Sequence, residues 1–87
     1  EGGVADEDDS DRAEYIQRQV LGTWRAIAAG ADVRGHLYWS LLDNYEWALG
    51  FAKRFGLVAI DYDTLKRTVR PSAYVYKKIC EDNAVVE

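Results

Sequence analysis

At 87 residues the chain has the length of one small domain, and so short a chain buries proportionally little of its surface, leaving a marginal core when alone. Hydrophobic residues at 48%, aromatic residues at 13% and a single Pro exclude a disordered or collagen-like chain. A net charge of −4 with Lys and Arg scattered offers no basic stripe for phosphates, and no apolar run approaches bilayer length, so neither nucleic acid nor a membrane is an expected partner.

In chain order, Glu1-Gly2-Gly3-Val4 leads through Ala5 into an acidic run from Asp6 to Asp11 interrupted only by Ser10. Negative charge placed there complements the dipole of a following helix. From about Asp11 to Ala29, Ile16, Val20, Trp24 and Ile27 recur at spacings of four, four and three, which predicts one apolar helical face. Gly30 fits the left-handed position beyond its end. Val33 to Leu42 alternates instead: Val33, Gly35, Leu37, Trp39 and Leu41 fall on one side of an extended segment, and Arg34, His36, Tyr38 and Ser40 on the other. This predicts a strand. Asp43 to Lys53 has no period and reads as a long loop. Phe55 to Tyr62 is a second, shorter extended segment, with turn chemistry in Asp61-Tyr62-Asp63-Thr64. Pro71 suits the first turn of a last helix, where Val75 and Ile79, and likewise Tyr76 and Cys80, stand four apart. Loop, helix, strand, long loop, short strand and helix together favour an α/β fold with parallel strands.

Other signals are weak. Asp6, Asp8 and Ser10 have the spacing that opens a calcium loop, but Asp11 stands where Gly is needed and Gln17 where the closing Glu belongs, so no metal is assigned. No cofactor is expected. His36 reads as a packed or surface histidine, and Cys80 as a packing residue. One cysteine cannot form an internal disulfide, which agrees with a reducing, cytoplasmic setting. No signal peptide is evident.

The stretch Trp39-Ser40-Leu41-Leu42-Asp43-Asn44-Tyr45-Glu46-Trp47, with Gly50-Phe51 and Arg54-Phe55-Gly56-Leu57 after it, closely resembles the last-strand signature of glycoside hydrolase family 1, the β-glycosidases. Val58 to Tyr62 and Arg70-Pro71-Ser72-Ala73 continue the likeness, and Glu1-Gly2-Gly3 resembles the family's nucleophile motif, usually Glu-Asn-Gly. Gly2 departs from it, freeing the backbone and removing one polar side chain. The resemblance spans nearly the whole chain. It implies the C-terminal strand-helix units of a (β/α)8 TIM barrel from the nucleophile onward, incomplete as an 87-residue chain, since a full barrel takes about 250 residues.

The resemblance also implies roles. Glu1 would be the nucleophile of a retaining mechanism, which needs a second carboxyl group about 5 to 5.5 Å away; in the family that acid/base lies on an earlier strand. Glu46 and Trp47 would hold the polar edge of the sugar, Trp39 would form an apolar platform and Phe55 a further wall. Members acting on 6-phosphosugars usually carry a small hydroxyl residue where Glu46 stands, so plain terminal β-glucosides or galactosides are the implied substrates. A non-proline cis peptide at Trp39-Ser40 is implied as well. The isolated chain is expected to be inactive and to need the remainder of the barrel as its partner. The alternatives are a noncatalytic barrel fragment and a carbohydrate-binding piece.

Overall fold

Side chains from the acidic run explain where both helices begin. The computed structural model describes residues 1–85. Asp6 Oδ2 accepts the N–H groups of Asp11 at 2.7 Å and Arg12 at 3.1 Å, satisfying donors that the first turn of α1 (Arg12–Ala28) leaves open. Asp9, held at a φ of 61° that Asp tolerates, does the same for α2 (Pro71–Asp82). Its Oδ2 accepts the Ser72 N–H at 3.0 Å and its Oδ1 the Ser72 hydroxyl at 2.7 Å. The run expected to serve one helix therefore serves two. Pro71 occupies the first turn of α2, and Gly30 follows α1 with a φ of 105°, both as the sequence predicts.

The predicted face of α1 is only half used. Ile16 is fully buried, but Trp24 is 63% exposed and Ile27 is exposed too. The spacing marks one face, yet of its four apolar residues only Ile16 is buried. Cys80, expected to pack, is exposed on α2.

Residues 33–42 are extended, but among the described residues they pair only through isolated parallel bridges, Gly2 to Tyr38 and Leu42 to Val58. The second extended segment contracts to β1 (Val58–Ile60), which pairs with an unpredicted β2 (Arg67–Val69). That pair is antiparallel, with Val58 opposite Val69, because residues 61–66 make a hairpin and a parallel pair would need a long crossover. Asp61 Oδ1 closes the turn by accepting from the N–H groups of Asp63 and Thr64. The parallel expectation thus holds only at the two bridges. Where residue 56 passes beneath the extended segment, a Cβ would collide with the backbone of Leu42, Asp43 and Val58, so only Gly fits.

Burial is lopsided. Ile16, Leu57 and Ile60 are the buried hydrophobic residues among those described, whereas Arg12, Ser40, Asp43, Arg70 and Ser72 are buried and polar. The accessible surface of 6229 Å² exceeds the roughly 5200 Å² expected of a compact monomer of this mass. The radius of gyration, 14.0 Å, likewise exceeds about 12 Å. Two helices and a two-stranded sheet do not form a barrel. They leave one apolar face, including Leu37 and Leu41, open to solvent.

Candidate active site

The site is set by which side of the extended segment meets the helices. His36 and Tyr38 make ring contacts with Tyr76 of α2 at centroid distances of 6.2 and 6.0 Å, so the even-numbered side faces inward. Leu37, Trp39 and Leu41 consequently face away. Residues 1–4 run alongside: the Gly2 N–H donates to Leu37 O at 3.1 Å and the Trp39 N–H to Gly2 O at 2.9 Å. Gly2 lies against Gln19 of α1, so alternation sends Glu1 to the opposite side, the face of Trp39. Glu1 is exposed.

Trp39 and Glu46 are joined directly, the indole Nε1–H donating to Glu46 Oε1 at 2.7 Å. The peptide between Trp39 and Ser40 is cis, as expected. Glu46 immediately precedes a 3-10 turn, Trp47–Leu49, within the segment expected to be plain loop. Its N–H donates to Gly50 O and its carbonyl accepts from the Leu49 N–H, both at 2.8 Å. Trp47 is 83% exposed. Phe55 is half-buried, and its carbonyl accepts from the Tyr38 hydroxyl at 3.0 Å and the Ser40 N–H at 3.3 Å. The loop is further stiffened by a run of rings, Tyr45 on Phe51 and Phe51 on Tyr62, with the Arg54 guanidinium 4.4 Å above Tyr62.

Beneath the loop lies a charged anchor that sequence reasoning missed. The Asp43 carboxylate, with its side chain fully buried, accepts from Arg70 at 2.8 and 3.0 Å, from the Gly56 N–H at 2.9 Å and from Arg54 at 3.3 Å. Burial alone would raise its pKa, but hydrogen bonds from Arg70 and Gly56 outweigh that and hold it below 3.8. The available signal was a carboxylate closing the apolar stretch Leu41-Leu42, since a buried charge demands a partner. A second anchor is Arg12, fully buried. Its guanidinium donates to the carbonyls of Val4, Asp6 and Arg54, to the Tyr38 hydroxyl and to Asp9. Nothing in the helical pattern distinguishes it from a solvated arginine.

Asp9 follows the same logic as Asp43: burial raises its pKa, and bonds from Ser72 and Arg12 more than reverse this. A carboxyl group held below its unfolded value adds stability that is complete above about pH 3.8 and disappears as pH falls through the folded value. Urea unfolding measured across pH 2 to 5 should therefore show stability rising with pH, and Asp9→Asn should flatten that rise. An unchanged slope in the variant would contradict the role of Asp9.

A protein-family model described as glycosyl hydrolase family 1 matches residues 2–85. The β-galactosidase of Saccharolobus solfataricus is 51% identical over 87 residues, which cover 100% of this chain and 18% of that protein. Among solved structures, the β-glycosidase from the hyperthermophile Thermosphaera aggregans superposes with a TM-score of 0.92 at 46% identity, over 98% of this chain and 18% of that one. The hyperthermophilic β-glucosidase from Pyrococcus furiosus gives 0.93 at 48% identity, over 97% and 18%. The chain thus spans about a fifth of the length of the proteins it matches.

Proposed function

Because the chain belongs to glycosyl hydrolase family 1, we propose that it supplies the nucleophile and the sugar-gripping loop of a retaining β-glycosidase built on a (β/α)8 barrel. The observation that carries this reading is the Trp39 Nε1 to Glu46 Oε1 hydrogen bond of 2.7 Å, formed on the face to which Glu1 is directed. An indole with a free apolar face and a carboxylate with a remaining oxygen suit the C–H surface and hydroxyl edge of one pyranose. Glu1 attacks the anomeric carbon, while a carboxylic acid from outside this chain protonates the departing oxygen. Water then releases the sugar with retention. Trp47 and Phe55 complete the grip. Glu46 repels a 6-phosphate, favouring terminal β-linked glucose or galactose.

A noncatalytic reading applies to the chain alone. Three buried hydrophobic residues among those described, and the open face of Leu37, Trp39 and Leu41, support the reading of a segment that needs complementary strands and an external carboxylic acid before it turns anything over.

The test is a chimera in which the chain replaces the matching segment of the S. solfataricus β-galactosidase. Incubation with a 2-deoxy-2-fluoro-β-glycoside and peptide mass spectrometry should place the adduct on Glu1. An adduct elsewhere, or tight binding with no adduct, overturns the nucleophile assignment and favours a binding piece. Glu46→Gln, which keeps shape but removes charge, should lower kcat/KM about 10- to 100-fold, as expected for one charge-assisted hydrogen bond. A loss smaller than threefold would remove Glu46 from the sugar site.

A further inference from the structure

Behind the strand that carries Glu1, two residues occupy a space that has room for only one side chain. A Cβ built on Gly2 would overlap the Gln19 carboxamide, meeting its Cδ, Nε2 and Oε1. The obstacle is a side chain reaching out from α1, not a backbone. Gln19 Oε1 is buried with no hydrogen-bond partner among the described residues, so hydrogen bonding of this oxygen does not hold the carboxamide there. The carboxamide lies against the bare face of Gly2, where van der Waals contact locates it.

We propose that Gly2 and Gln19 are a matched pair in which the Gln19 side chain, filling the volume of an absent residue-2 side chain, sets the spacing between α1 and the strand bearing Glu1. This rests on the nucleophile assignment given above. Gln19 touches no substrate, because it lies on the helix side of the strand and Glu1 projects from the other; it is a positioning residue. The Gly2 N–H and carbonyl bond directly to Leu37 and Trp39. A shift of Gly2 is therefore passed both to Glu1 and to the platform residue. Displacing a reacting group by about 1 Å can cost on the order of 100-fold in rate.

The experiment is a double-mutant cycle in the same chimera. Gly2→Ala should lower kcat several-fold with KM within threefold, measured well below the melting temperature, because the Gln19 carboxamide must shift to admit the methyl. Gln19→Ala alone should lower kcat several-fold by leaving the strand unsupported. Combining them should restore kcat to within about threefold of the parent, a non-additivity expected only of residues in contact. Multiplicative losses in the double variant, or no effect of Gly2→Ala, would overturn the pairing. If Gly2→Ala does not fold, recovery of folding by the added Gln19→Ala supports the pair and continued misfolding refutes it. An unmodified chimera that binds but does not turn over glycosides would sink the functional reading alone. The cycle is then read in melting temperature, with the same signs.

Discussion

Replacing Asp43 by Ala should lower the unfolding free energy of the chimera by about 3 to 5 kcal/mol, the range for breaking a buried ion pair from one side. The magnitude follows from what the substitution strands. Arg70, with 8% of its side chain exposed, loses both of its carboxylate contacts and keeps the Gly56 carbonyl at 2.6 Å, and the Gly56 N–H loses its acceptor. Arg54, less enclosed at 22%, retains the Ile60 carbonyl at 2.7 Å and its seat over Tyr62. Arg70, the more enclosed and the one losing two contacts, carries most of the loss. Asn is a poor remedy, since its amide N–H₂ would face donors, and Asp43→Asn should recover less than half of the deficit. The loop carrying Glu46 springs from this anchor, so KM should rise as well. Urea denaturation gives the first number and steady-state kinetics the second; a loss under 1 kcal/mol would mean that water already satisfies the arginines.

Arg12→Met keeps the length of the buried stem and removes the charge, and it should be comparably damaging, at about 3 to 5 kcal/mol. The Val4 carbonyl loses its guanidinium donor, the Asp6 and Arg54 carbonyls keep only the backbone N–H groups of Asp9 and Asp6, and the Asp9 carboxylate loses its cation. Some of the deficit is offset because Asp9 still accepts from Ser72. Lys carries the charge but cannot present a planar fork to several acceptors at once, so Arg12→Lys should restore less than half of the stability. Two of the affected carbonyls lie three and five residues beyond Glu1, and activity should fall even where the variant remains folded. Equal stability for Arg12→Met and the parent would show the guanidinium to be dispensable.

The elements that local chemistry specifies were readable in advance. Helix ends followed from Pro71, Gly30 and the acidic run, and the inward and outward sides of residues 33–41 from simple alternation. The hydrogen bond between Trp39 and Glu46 lies inside the stretch that carries the family likeness. What escaped was set by contacts distant in sequence. Asp9 belongs to the acidic run expected to complement the dipole of the adjacent helix, yet it serves one whose Ser72 lies 63 residues away. Arg12 looked like any charged residue on a helix, because its acceptors come from three separate segments. β2 is three residues long, too short for any period to declare it. Cys80 and the second half of the α1 face were expected to pack because their spacing is apolar. Spacing identifies a face, but it does not say whether the covering layer belongs to the same chain.

The link from Asp9 to Ser72 also has a bearing on how this segment is made. At about 5 to 20 residues per second, a ribosome takes roughly 3 to 13 s to advance from one to the other. Throughout that interval the carboxylate and its neighbouring guanidinium have no helix end to grip. The tie between the acidic run and α2 can therefore close only after α2 has emerged, so this contact forms late relative to the segment that carries Asp9.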